Sequence, residues 1–481
     1  MELAPRIIFP RFIVVRPIDK LDYLSYIRVG GDTDGYLRFL EARVESPYAK
    51  FEVEYFTTDT VHIRSCENNK YWERTKNLSI TGDPDSQYWI TATAAKKEED
   101  KSKESCTLFK VIFVKAAENT VRIQHVQSGC YLCLWRMDNP TYSRCVLANS
   151  NVYDGNQFDI FTIIDWASLL VLPRYVAFKG DNEKYLCLRY LDGGYPYLQF
   201  ATKDIGDPTV ACEVFATDDG SIRIKQLSNG KFWRRSPNWI WADSDDTSID
   251  NKDTLFRPIK VNDQTIGLVN LGNNYFCKRL SYEGKDNCLN AAVPSVTQEA
   301  QLTVAEAVLT REIYGVRYDI DNARVYDETI LSLDERSSTN HTEKSSTLDV
   351  TLSYTDSKTR SWKNMFSLKL GVKSTMEFQL PLIFEGKLEL SGEFQSGVEW
   401  GETTTVTTLV EAVHKVTVPP MTEVTITVLS TYGKCDVPFT FLQRDTPFNG
   451  ATVISEVQGG TFTGSNYYNI DFVTRETKLE E

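Results

Sequence analysis

The chain is 481 residues long, with 53 Lys and Arg against 66 Asp and Glu, a formal charge of -13, 41% hydrophobic and 25% charged residues. That length exceeds what one hydrophobic core covers and suggests three domains of roughly 100 to 200 residues each. The acidic balance excludes nucleic-acid backbone binding and simple docking on anionic lipid as main roles, and no window approaches the roughly 18 uninterrupted apolar residues of a membrane-crossing helix.

At the start of the chain, Ile7, Ile8, Phe9, Ile13, Val14 and Val15 are interrupted by Pro10 and Arg11 and are followed by no small-residue cleavage site. The run reads as an opening strand, not an export signal. The expectation is therefore synthesis in the cytoplasm, with a cytosolic or nucleocytoplasmic home. Ten cysteines are scattered through long, well-stocked cores, so reduced, mostly buried thiols are expected. Cys130 and Cys133 form a C-x-x-C, but G-C-Y-L-C-L-W alternates like a strand and has no second pair at zinc spacing.

An internal duplication organises the first three hundred residues. His62 to Arg74, H-I-R-S-C-E-N-N-K-Y-W-E-R, matches Arg223 to Arg235, R-I-K-Q-L-S-N-G-K-F-W-R-R, and C-T-L-F-K from Cys106 answers D-T-L-F-R from Asp253. Each half carries three copies of a shorter cadence: Tyr36-Leu37, Tyr71-Trp72 and Tyr131-Leu132, then Tyr185-Leu186, Phe232-Trp233 and Tyr275-Phe276. Each pair follows turn residues and sits among short alternating segments that fit strands. Three related hairpin units closing on a pseudo-threefold axis describe a β-trefoil, so the reading is all-β with two tandem trefoils. The domains span 1-164 and 171-305, joined by a short helical turn at 165-170, D-W-A-S-L-L, with Asp165 at the N-cap position.

The cadence K-Y-L or K-F-W, D-W-A-S-L-L before P-R-Y-V-A-F-K-G-D-N, and N-C-L-N-A-A from Asn287 resemble amaranthin-type plant agglutinins across residues 1 to about 305. The resemblance implies a homodimer of paired trefoils holding a galactose/N-acetylgalactosamine-type glycan between the first module of one subunit and the second of its partner. Sugars need an aromatic face for their C-H surface and amide or carboxylate groups for their hydroxyls. Two stretches supply both: Arg74 to Asp83, with Asn77 and Ser79, and Arg235 to Asp246, with Asn238, Trp239, Trp241 and Asp243 in what reads as a polar loop. The family pattern carries S-P-N in its first module, whereas here Ser236-Pro237-Asn238 stands in the second. Tyr71, Trp72, Phe232 and Trp233 read as packing residues.

After about Asn290 the composition turns to Ser, Thr, Glu and Lys, marking a third domain, 306-481. From Phe366 to Trp400 the large apolar residues Phe366, Leu368, Leu370, Val372, Met376, Phe378, Leu380, Phe384, Leu388, Leu390, Phe394, Val398 and Trp400 stand at even positions, and the odd positions carry Lys369, Lys373, Glu377, Glu385, Lys387, Glu389 and Glu393. The parity extends outward through Leu348, Val350, Leu352 and Tyr354 and through Val410, Ala412, Val416 and Val418. Arms of this length match transmembrane β-strands of about 9 to 11 residues. The central Pro381-Leu382-Ile383-Phe384 reads as an apolar tip where a soluble hairpin would show Asn-Gly or Asp-Gly.

The S/T-rich strand at Ser337 to Tyr354, P-L-I-F-E-G, V-E-W-G-E-T-T-T from Val398 and V-T-V-P-P from Val416 resemble, in that order, the aerolysin/natterin-like pore-forming module. What this implies is an elongated β-sheet module with a pre-stem hairpin at about 346-416. The hairpin, donated once per subunit, would enter a target membrane in a homo-oligomeric ring, with the odd positions lining the lumen. Catalytic signatures are absent: four histidines, no H-E-x-x-H, G-x-S-x-G or phosphate loop. The expectation is a non-enzyme without metal or cofactor, whose partners are glycans and a membrane. A pore-forming defence lectin is set against a non-lytic lectin whose third domain only mediates oligomerisation.

Overall fold

The structure, a computed structural model, describes residues 9-19, 22-77, 86-115, 118-136, 142-363, 378-395, 403-448 and 450-479, with backbone only at 363, 392-395 and 459. Contacts divide it into two compact units, the first holding the residues up to Arg311 together with 444-454, the second holding the remainder of the described chain.

Within the first unit the two repeats form separate all-β bodies, one around a ten-stranded sheet and one around a twelve-stranded sheet. Each is filled by its own core, and the cadence tryptophans lie at the centre: Trp72 packs edge-on against Phe51 at 5.0 Å, and Trp233 packs tilted against Phe178 at 5.5 Å. The pseudo-threefold is explicit in the second repeat. Its three hairpins, Tyr185–Leu191 with Tyr195–Thr202, Phe232–Ser236 with Trp239–Ser244, and Tyr275–Tyr282 with Lys285–Val293, touch one another through Tyr197 opposite Trp241, Trp239 opposite Asn290, and Gln199 opposite Cys288.

The cadence has a hydrogen-bond cause. Asn68, Asn182, Asn229 and Asn273 each accept the N–H of the residue two places on and donate to a carbonyl of the facing strand, at Ala92, Phe200, Ala242 and Ala291 respectively. One short amide thus closes a turn and pins its hairpin, which is why a polar residue recurs beside the aromatic pair. Between the repeats, Trp166–Ser168 makes a single 3₁₀ turn, and the Asp165 carboxylate accepts the Ala167 N–H at 2.9 Å. The Val44 N–H donates to the Asp218 carbonyl at 3.1 Å, tying the two bodies together.

All ten cysteines are free thiols, and burial pushes Cys133, Cys145, Cys288 and Cys435 up to about 12. In the second unit a six-stranded sheet runs in the order Val308–Tyr318, Thr422–Pro447, Val453–Lys478, Ser346–Lys363, Thr403–Val418, with Arg324–Asn340 also paired to Thr422–Pro447. A separate two-stranded hairpin, Phe378–Phe384 with Lys387–Gln395, stands outside that sheet.

His125 links packing to pH. It is fully buried, its Nε2–H donates to the Cys106 carbonyl at 2.9 Å, its Nδ1 accepts the Ser128 hydroxyl at 3.0 Å, and burial holds its imidazole down to about 4. Because the unfolded chain protonates near 6.5, this contribution is complete above that pH and is lost as pH falls from 6.5 to 4, a change of about 3 kcal/mol. Native-state hydrogen exchange of the first repeat should show that slope, and His125→Gln should flatten it.

Candidate functional site

Two places bring chemistry-bearing residues together. The first is the cap formed where the hairpins of each repeat meet. In the second repeat Tyr197, Trp239 and Cys288, one from each hairpin, are buried together, with Leu191, Trp241 and Leu280 against them. Trp239 and Trp241 lie in the strand Trp239–Ser244, not in a loop, and Trp239 is 5% exposed. This corrects the expectation that both offer open aromatic faces: alternation along the strand sends Ile240 and Ala242 to the core and puts both tryptophans on the cap face, where the Trp239 ring lies against Tyr197 at 6.0 Å.

Trp241 is half-buried and Tyr195 stacks on it at 4.7 Å with an interplanar angle of 22°. Asp243 is held in a bidentate ion pair by Arg234, at 3.0 and 2.6 Å, and that carboxylate raises the guanidinium above its usual range. Asn238 sits in the exposed two-residue turn Pro237-Asn238, its Oδ1 accepting from Arg235 at 3.1 Å and from Asn273 at 3.3 Å.

The first repeat builds the same cap. The 161-residue offset that relates His62 to Arg223 also relates Tyr36 to Tyr197 and Asn77 to Asn238. Tyr36, Trp89 and Cys145 form its buried centre, Tyr36 lying 6.1 Å from Trp89 much as Tyr197 lies 6.0 Å from Trp239. Trp135 and Tyr142 pack on Trp89 at 5.3 and 5.9 Å. Asn77 Nδ2 donates to the Tyr36 hydroxyl at 2.9 Å, while burial pushes that phenol above its ordinary range. Ser79 lies outside the described residues. Trp89, Tyr195 and Tyr197 escaped the sequence reading, and Tyr36 entered it only as a cadence residue. The offset itself, applied to Y-P-Y after the Asp192-Gly193-Gly194 turn, is the signal that could have found Tyr195 and Tyr197.

The second place is the hairpin Phe378–Gln395. Its turn is Glu385-Gly386, both at positive φ (48° and 75°), as a two-residue type I′ turn requires. Pro381-Leu382-Ile383-Phe384 is therefore not the apex of this hairpin but its first strand. The single even-numbered face is corrected as well. Pro381 has no N–H for the ladder, the register shifts between Gln379 and Pro381, and beyond the shift Pro381 and Ile383 are the buried positions. Phe378, Leu380 and Ile383 enter a core with Trp362, Phe462 and Tyr468, the Trp362 ring 4.6 Å from Phe378 and 5.2 Å from Phe462. Phe384 is 57% exposed.

One residue clasps the hairpin's outer edge. The buried Asn466 accepts the Ile383 N–H at 3.0 Å and donates to the Ile383 carbonyl at 2.9 Å, so its amide does for that edge what a neighbouring strand would do. Nothing in S-N-Y-Y distinguishes this asparagine in sequence. Of the expected lumen residues, Glu385, Lys387 and Glu389 are exposed on this hairpin. The side chain of Glu393 and all of Lys369, Lys373 and Glu377 lie outside the described residues.

The hairpin is flanked by two long arms. Ser346–Lys363 pairs with Thr403–Val418 without a break from Ser346 opposite Val418 to Ser361 opposite Thr403. Leu352, Tyr354, Val416 and Val418 are buried on the even face, and hydroxyls meet across the odd face at Thr347 and Thr417 (3.2 Å) and at Thr359 and Thr405 (3.1 Å).

Comparison with known proteins gives two family matches. The Agglutinin domain profile covers residues 7–165 and 170–306, and the Aerolysin toxin profile covers 320–448. A lamprey immune protein is similar at 14% identity with a TM-score of 0.30, over 64% of this chain and 100% of its own. An aerolysin-like protein of Bombina maxima is similar at 11% identity with a TM-score of 0.25, over 34% of this chain and 99% of its own. No curated protein matches the chain.

Removing the clasp should loosen the hairpin alone. Asn466→Ala leaves two buried backbone groups of Ile383 without that partner, at about 1–3 kcal/mol for each. Hydrogen exchange at Ile383 and along Phe378–Gln395 should accelerate, with the amides around Trp72 and Trp233 unchanged. Unaltered protection at Ile383 would mean that Asn466 does not hold it.

Proposed function

The chain belongs to the Agglutinin domain family and carries an Aerolysin toxin domain behind its two agglutinin domains, and from that premise we propose that it docks on galactose/N-acetylgalactosamine-type glycans and then perforates the membrane bearing them. Docking is the work of the agglutinin pair, and Asn77, Ser79 and Asn238 remain its proposed polar contacts. Several copies then meet, and each gives one hairpin to a shared β-barrel. Lipid leaves no alternative to closure, because it offers no partner to free backbone N–H and C=O groups.

The observation that carries this reading is a mismatch of register. The arms pair so that Ser361 faces Thr403, whereas the stored hairpin pairs so that Phe384 faces Lys387. Continuing the arm register inward would set Phe366 opposite Val398, Leu370 opposite Phe394, Met376 opposite Leu388 and Leu380 opposite Phe384. All of these share one face, and the chain would turn at Pro381-Leu382-Ile383. The apolar parity of the sequence thus suits a second pairing, in which that oily segment leads into lipid. The odd face, with Lys369, Lys373, Glu377, Glu385, Lys387, Glu389 and Glu393, then lines the lumen.

Ten free thiols support synthesis in the reducing cytosol, before any membrane is met. Defence in a plant is the setting that the agglutinin resemblance supports. No catalytic step is needed for either docking or perforation.

Phosphatidylcholine vesicles carrying a galactose-terminated glycolipid should release trapped dye, and vesicles without it should not. Clustering of the glycolipid vesicles without release would instead fit a lectin that only cross-links. Across a planar bilayer the current should prefer cations, since five glutamates and three lysines occupy the odd face from 366 to 400; a reversal potential of anionic sign contradicts that lining.

A further inference from the structure

The cap of the second repeat carries a feature that its fold does not require. Tyr195 and Trp241 form a near-parallel stack at 4.7 Å, and Tyr195 is 51% exposed, so one ring face is covered by the indole and the other meets water. Tyr197 meets Trp241 edge-on at 5.5 Å, so the indole packs against two tyrosines. The Arg234–Asp243 ion pair lies beside it, the guanidinium carbon 5.9 Å from the centre of the Trp241 ring.

The first repeat supplies an internal control. There Tyr36 faces Thr91 at the position where Tyr197 faces Trp241, and the residue corresponding to Tyr195 is Asp34. That cap closes equally well, with Thr91 buried and Tyr36 on Trp89. A tyrosine–indole stack at this pair of positions is therefore not a condition of trefoil closure. An exposed ring kept flat by a backing indole, next to a charged pair, needs another reason.

We propose that Tyr195, backed by Trp241 and flanked by Arg234 and Asp243, is a glycan subsite contained within one chain, taking a terminal pyranose of galacto configuration by its apolar face. The axial 4-hydroxyl of such a sugar leaves C3–H, C4–H and C5–H together on the opposite face, a patch the size of one phenol ring. The Asp243 carboxylate spends one lone pair per oxygen on Arg234 and keeps others for sugar hydroxyls, and the guanidinium keeps N–H donors of its own. Asp243 thus serves while paired, and Trp241 serves as the backing of the platform instead of its open face. This subsite rests on the glycan-binding reading above and differs from it in needing no partner subunit.

The test is fluorescence titration of the full chain with methyl β-D-galactopyranoside, supported by a glycan array. Tyr195→Ala should weaken binding about fivefold or more, the scale of one lost stacking contact, whereas Tyr195→Phe should stay within about twofold of the parent because the hydroxyl is not needed. Tyr190→Ala, an exposed tyrosine on the other face of the same hairpin, should change nothing, and unchanged near-ultraviolet dichroism should show the cap intact in each variant. Binding by the parent with equal affinity in Tyr195→Ala overturns the subsite while leaving glycan recognition standing. No binding of the parent to the galactoside or to any arrayed glycan overturns both.

Discussion

A β-strand cannot leave one partner before another is available, because each buried backbone N–H and C=O that loses its hydrogen bond is destabilised by an amount comparable to the bond itself. The third domain is organised around that constraint. Its small hairpin lies outside the main sheet, so the partners of its outer edge are few, and at Ile383 both come from the amide of Asn466. On the proposed reading, a side-chain clasp that satisfies this edge in water would let the hairpin leave as a unit. In a proposed barrel the neighbouring hairpins would replace it, every edge would be paired, and the apolar face would meet lipid instead of the core around Trp362.

The agglutinin half answers the same demand differently. Its hairpins close on one another around a threefold axis, and four asparagines pin the turns by repeating one pair of bonds. The duplication and its cadence were legible in the sequence because these turns recur at fixed distances from large aromatics, and Trp72 and Trp233 take the core positions assigned to them. The fate of Trp239 and Trp241 was not legible. Polar neighbours on both sides, S-P-N before and D-S-D-D after, disguise a strand W-I-W-A-D whose alternation puts both indoles on the cap face, with the first at the axis and the second nearer the surface. Which of the two is covered depends on hairpins more than forty residues away.

In the third domain the alternating pattern predicts the arms well and the stored hairpin poorly. Leu352, Tyr354, Val416 and Val418 share the buried face that parity assigns them. At Pro381 the parity breaks, because a residue without an N–H cannot hold its place in the ladder, and Ile383 becomes fully buried in the core while Leu382 is only partly buried and Phe384 is exposed. The turn then falls on Glu385-Gly386, where glycine accepts the left-handed backbone without strain. The longer apolar pattern belongs to the arms, and a reading by parity carries their register through the hairpin. The clasp residue has no such pattern, since one asparagine beside two tyrosines is unremarkable until Ile383 is brought to it.

The most direct measurement places cysteines at Ile383 and Asn466 and follows dye release from glycolipid vesicles with the pair oxidised and reduced. If the hairpin must quit its clasp to cross a bilayer, the oxidised protein binds the vesicles without leakage and regains leakage when the bond is reduced. Equal leakage in both states would show that the hairpin stays where it is stored and that something else makes the hole.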